Sequence, residues 1–133
     1  MSQENVESTR AAFEAWNQAD LDGWLTFLDP AVEFYPAGVF PDFDAVYRGH
    51  DGATRFWSAL HEPWEMIHTA IEEADDDEDC VVVTIGFRAT GRGSGAAVEL
   101  RLATGVKLRD GLAVTMISKP TAEEAWEALR AIP

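Results

Sequence analysis

The chain has one cysteine, Cys80, so no internal disulfide braces it and thiolates alone cannot build a zinc site. Basic side chains are scarce: 10 against 24 carboxylates leave a formal net charge of −14. A field of that sign repels phosphate backbones and anionic lipid, which argues against nucleic acid and membrane surfaces as partners. No stretch approaches the roughly 20 apolar residues of a membrane span. The opening Met-Ser-Gln-Glu-Asn-Val-Glu lacks the basic start and apolar core of a secretory leader. The expectation is a soluble, cytoplasmic protein. What is present is a globular composition, 47% apolar over 133 residues with five dispersed tryptophans. That is enough to bury one core, in a single domain over residues 1–133.

Three suggestive stretches have simple readings. Residues 72–79 run Glu-Glu-Ala-Asp-Asp-Asp-Glu-Asp, without the alternating ligands and central glycine of a calcium loop. A solvated hairpin is expected there, with no metal and no cofactor. Cys80 opens an apolar run beside Glu78 and Asp79, where a thiolate is disfavoured, so it reads as a core residue. Residues 91–95, Gly-Arg-Gly-Ser-Gly, lack the strand-to-helix setting and Lys-Ser/Thr pair of a phosphate loop.

Periodicity divides the chain in two. Val6, Phe13 and Trp16 place a helix over about 3–19, with Ser2 as its cap. A short helix follows from Asp20, carrying Trp24, Phe27 and Leu28 and stopped by Asp29-Pro30. Residues 31–35 read as a strand, and 39–47 as an aromatic loop with Phe40, Pro41, Asp42, Phe43, Asp44 and Tyr47. A third helix, capped by His50 or Asp51, carries Phe56, Trp57 and Leu60 and ends near Glu62-Pro63. Thereafter the period is two, with strands over 65–73, 80–90, 97–109 and 112–119. Carboxylates turn the first pair, glycines the second and Asp110-Gly111 the third. A last helix starts at Thr121. The expected fold is α+β: a curved antiparallel sheet forming a cone-shaped half-barrel around N-terminal helices, with an internal pocket.

Strand 97–109 sets the inner face. Val98, Leu100, Leu102, Thr104, Val106 and Leu108 form one row, opposite Glu99, Arg101, Lys107 and Arg109. Thr104 is the polar member of the inner row. Met116 and Ser118 extend the wall if their parity faces inward. Phe13, Trp16, Trp24, Phe56 and Trp57 cover the pocket from the helices, and Phe40 and Tyr47 from the loop. Candidate catalytic groups are Tyr35, His50 and Asp42. Tyr35 faces inward if Glu33 does. If Val32 and Phe34 are the inner pair it faces out, and apolarity alone leaves both open. His68 is expected on the outer sheet face and His61 exposed near the third helix's end.

Residues 46–60, Val-Tyr-Arg-Gly-His-Asp-Gly-Ala-Thr-Arg-Phe-Trp-Ser-Ala-Leu, follow the strand Ala-Val-Glu-Phe-Tyr-Pro. With the Gly-Arg-Gly-Ser-Gly hairpin and Arg109-Asp110-Gly111, they resemble SnoaL-like proteins of the nuclear transport factor 2-like superfamily. The resemblance implies a cone with a pocket for a small apolar or cyclic ligand. It also implies a homodimer, for which the outer sheet face with Gly86, Ala103 and Gly105 is a candidate. Steroid isomerases of that superfamily carry a base Asp just before a proline, where Tyr35 stands here. Their proton-sharing Asp falls near Thr104. Both carboxylates are absent. SnoaL-like relatives also often have His at the Thr104 position and Trp near Val106, and end the last strand in Tyr-Pro-Asp rather than Lys119-Pro120-Thr121. Two readings follow: a small-molecule-binding protein with cofactor-free lyase, isomerase or cyclase chemistry, or a non-catalytic ligand-binding or dimerisation module.

Overall fold

A computed structural model describes residues 2–36, 38–40 and 42–132, so Pro41 and the side chain of Ser2 lie outside the description. The order is α1 (Ser2–Asn17), α2 (Leu21–Phe27), β1 (Leu28–Tyr35), β2 (Tyr47–Arg48), α3 (Gly49–His61), β3 (Trp64–Asp77), β4 (Cys80–Gly91), β5 (Ala97–Arg109), β6 (Leu112–Lys119) and α4 (Ala122–Arg130). The six strands make one curved sheet in the order β2-β1-β6-β5-β4-β3. The meander β3–β6 is antiparallel, as expected, while β1 joins β6 in parallel. No helix among the described residues is long and apolar enough to cross a membrane.

Local chemistry explains most boundaries. Asp20 caps α2, its carboxylate accepting from the Gly23 N–H at 3.0 Å. Thr121 caps α4 through the Glu124 N–H at 3.2 Å. Asp110 and Gly111 both take positive φ, 55° and 80°, as a tight hairpin between right-twisted strands requires. Asp29-Pro30 does not separate α2 from the strand. β1 starts at Leu28, and the proline falls in a register shift between Leu28 and Glu33, where no ladder bond is asked of it.

Two sequence expectations are corrected. The acidic run is largely strand, not turn: Glu73 to Asp77 pair with β4 from Thr84 back to Cys80, and only Glu78 and Asp79 make the bend. A polar composition suggested a loop, but the ladder with an apolar neighbour keeps it extended. Neither His50 nor Asp51 caps α3. Arg48 occupies the cap position without a side-chain bond, and Gly49 enters the helix at φ 69°.

The sheet is covered on both faces. Helices α1–α3 lie over the concave side, burying Trp24, Phe56 and Leu60 against Val32, Phe34, Val83 and Ile85. On the convex side α4 packs Ala125 and Leu129 onto Val82, Ala103 and Ile117. Gly105 belongs to this contact, because a Cβ there would stand 2.9 Å from Leu129 Cδ1. The small outer residues Ala103 and Gly105 therefore serve the chain's own helix, which removes them from any dimer surface. The rest of that face holds His68, Glu72, Gly86, Arg88, Glu99 and Arg101 in an open groove. There Arg101 pairs with Glu72 at 2.7 Å and Arg88 with Glu99 at 3.2 Å.

The β4–β5 hairpin also fastens α3. The Arg92 guanidinium donates to the carbonyl oxygens of His61 at 2.9 Å, Glu62 at 3.3 Å and Trp64 at 3.1 Å. It satisfies acceptors that a helix end leaves open.

Candidate ligand chamber

Between the concave sheet and the helices lies a cavity of about 60 Å³. α1 contributes Phe13 and Trp16, α2 Trp24, and α3 Phe56 and Leu60. Phe34 enters from β1, Ile67 and Thr69 from β3, and Ile85 and Phe87 from β4. Leu102 and Thr104 of β5 face Met116 and Ser118 of β6, and Phe40 reaches in from the loop before β2. No ionisable side chain is among these residues.

The aromatic side is interlocked. Trp16 meets Trp24 edge-on at 4.9 Å between ring centroids, and Phe34 meets Phe56 at 4.5 Å with planes 87° apart. Phe40 lies 6.3 Å from Phe56 and 5.9 Å from Phe87, bridging helix and sheet. Such edge-to-face contacts add packing energy beyond area burial and hold the walls in defined positions.

The other two aromatic candidates stand behind the lining. Trp57 is buried, its ring 4.2 Å from Trp16 and 4.8 Å from His61. Tyr47 is buried against Phe56, its hydroxyl accepting from the Asp44 N–H at 3.2 Å and its ring lying under Arg55. Together with an Asp44–Arg55 pair at 3.4 Å, Tyr47 anchors the loop that carries Phe40.

The three candidates for proton chemistry do not line the chamber. Tyr35 is on the convex side in the cluster with Trp126 and Ile132, because Val32 and Phe34 take the inner positions of β1. Its hydroxyl donates to Glu33 at 2.7 Å, and Glu33 also pairs with Arg48 at 3.1 Å. The Tyr35 hydrogen bond and the Arg48 guanidinium hold the Glu33 carboxyl below its usual range, while the bond to Glu33 raises the Tyr35 phenol. His50 is half-buried in the first turn of α3, its Nε2–H donating to the Leu28 carbonyl at 2.8 Å. Asp42 is exposed in the loop. His61 is not exposed as expected. It is half-buried, donates from Nδ1 to the Trp57 carbonyl at 2.8 Å and stacks on Trp16. His68 is exposed in the convex groove.

The lining includes residues that the sequence reading did not single out as site candidates. Ile85 and Phe87 belong to the alternating row Val81, Val83, Ile85, Phe87, Ala89 of β4, and that periodicity was the available signal. Thr69 lay in a row already read as core. Its Oγ1–H donates to Asn17 Oδ1 at 3.1 Å.

Comparison with known proteins gives a consistent placement. The fold is shared with an NTF2-like protein of unknown function from Burkholderia pseudomallei, 25% identical over 98% of this chain and 100% of that one, with a TM-score of 0.80. TerC, crystallised with polyporic acid, is 21% identical over 96% and 99% of the two chains, also at 0.80. A Mycobacterium tuberculosis protein in complex with estradiol-17β-hemisuccinate is 17% identical over 89% and 93%, at 0.75. No curated protein matches the chain. The model of the SnoaL-like domain matches residues 9–116, most of the length, and it is to this family that the chain belongs.

Proposed function

We propose that this domain is a cytoplasmic small-molecule-binding protein that takes one uncharged, apolar, cyclic ligand into the chamber. The observation that carries this reading is the lining itself: aromatic and aliphatic walls, three hydroxyls, and no ionisable group. Isomerase, lyase or cyclase chemistry by a general base needs such a group within hydrogen-bond reach of the substrate. The hydrogen bonds of Tyr35 and His50 run to Glu33 and to the Leu28 carbonyl instead. The ligand complexes of structural relatives support small-molecule binding as the role of this cone. Titration of aromatic probes against the intrinsic fluorescence of Trp16 and Trp24 tests it. Saturable quenching is expected, and no response across a panel of neutral rings would refute it.

A second reading, cofactor-free catalysis, has one observation in its favour. Asp42 stands two residues from Phe40 in the loop that reaches the chamber. A pH-dependent turnover abolished by Asp42→Asn would establish it. Unchanged turnover in that variant would remove Asp42 from the chemistry.

A homodimer is proposed through the convex groove, where each of two arginines already has a carboxylate partner that a two-fold mate could share. Light scattering at low micromolar protein decides it, and a monomer mass refutes it.

A further inference from the structure

We infer that Thr104 and Ser118 form a two-hydroxyl subsite that receives a single oxygen atom of a neutral, monocyclic aromatic ligand. This rests on the chamber being the ligand site and specifies what that site selects.

Thr104 and Ser118 are direct cross-strand partners on β5 and β6, and both line the chamber. Side chains directly opposite one another in such a pair stand about 5 Å apart at Cβ. They are 4% and 3% exposed, yet neither hydroxyl has a hydrogen-bond partner among the described residues. Every fully enclosed side-chain polar atom there does have one. The two hydroxyls therefore open onto the cavity. The third hydroxyl of the lining, Thr69, is spent on Asn17.

A hydroxyl lost from water without a new partner costs free energy, and two side by side in an apolar wall are matched best by one shared oxygen. Each can donate or accept, so a ligand carbonyl or hydroxyl satisfies both. A carboxylate or ammonium finds no counter-charge in this lining and stays in water. The walls of Trp16, Trp24, Phe34 and Phe56 suit a ring in edge-to-face packing. At about 60 Å³ the cavity is below the roughly 150 Å³ that accommodates benzene. A ring therefore enters as Phe40 gives way, and a fused polycycle exceeds the space.

Calorimetric titration with phenol, toluene and benzoate, probes of similar size, tests the assignment. Wild type is expected to bind phenol about tenfold tighter than toluene and benzoate at least tenfold weaker than phenol. Thr104→Val and Ser118→Ala, which remove one hydroxyl each with little change of volume, are expected to weaken phenol and to hold toluene at least as tightly as wild type, which erases the phenol preference. Thr104→Ser, which keeps the hydroxyl, retains the preference. Equal binding of phenol and toluene to wild type, or a preference surviving both variants, overturns the subsite while the chamber stands. Benzoate binding as tight as phenol overturns the restriction to neutral ligands. Failure of all three probes overturns the chamber reading beneath it.

Discussion

Asn17 and Thr69 exchange the hydrogen bonds of two neighbouring strands although one of them is in a helix. The Asn17 amide donates from Nδ2 to the Thr69 carbonyl at 2.9 Å and accepts the Thr69 N–H at Oδ1 at 2.7 Å. A side-chain amide has the donor and acceptor of a peptide unit, so the last residue of α1 substitutes for a seventh strand on the open edge of β3. Asn17→Ala leaves a main-chain N–H and C=O in this half-buried contact unpaired. We expect a loss of about 2 kcal/mol in denaturant unfolding, and roughly half of that for Asn17→Asp, which keeps the acceptor.

Phe40 closes the chamber without belonging to the sheet or helices that frame it. Phe40→Ala should cost only about 1–2 kcal/mol, because the ring is half-buried, and should admit larger rings. Naphthalene quenching of tryptophan fluorescence is expected to rise in the variant and to be weak in wild type. Equal quenching in both would show that entry lies elsewhere.

The Glu33–Tyr35–Arg48 cluster ties β1 to β2 and titrates at both ends of the pH scale. With the Glu33 pKa lowered, its contribution to stability is full above the ordinary carboxylate pKa and fades as pH falls through its folded value. With the Tyr35 pKa raised above the usual 10.0, its contribution holds below that pH and fades as pH rises through the higher folded value. Glu33→Ala should lower the Tyr35 midpoint in an ultraviolet absorbance titration. An unmoved midpoint would show that the bond does not govern the phenol.

Cys80 should be a slow thiol. Burial, then the Asp79 carboxylate, push its pKa up to about 11. Alkylation by iodoacetamide at pH 8 is expected to run roughly a hundredfold slower than for an unfolded-chain thiol, and to accelerate as pH approaches 11. Rates matching a free thiol would place Cys80 in a different environment.

Much of the chamber was legible because β5 alternates cleanly. Leu102 and Thr104 face in and Arg101 faces out, as the row pattern implied. Tyr35 was not decidable for a physical reason. α4 buries the convex side of β4, β5 and β6 through Val82, Ala103 and Ile117, and Tyr35 of β1 packs against the same cluster, so the outer row is apolar too and alternation loses its contrast. The acidic part of β3 has the composition of a loop, whereas pairing with Val81–Thr84 holds it extended. The Asn17–Thr69 bond spans 52 residues, and a lone asparagine at a helix end does not announce its partner.

β3 is a border strand, and its outer half presents Glu72, Glu73, Asp75, Asp76 and Asp77. A second molecule attempting to continue the sheet there would lay carboxylate beside carboxylate, so fibre growth from this border is opposed by repulsion. The safeguard is written in like charge, so concentrated salt, which screens it, strips crowded solutions of this protein of their defence against stacking.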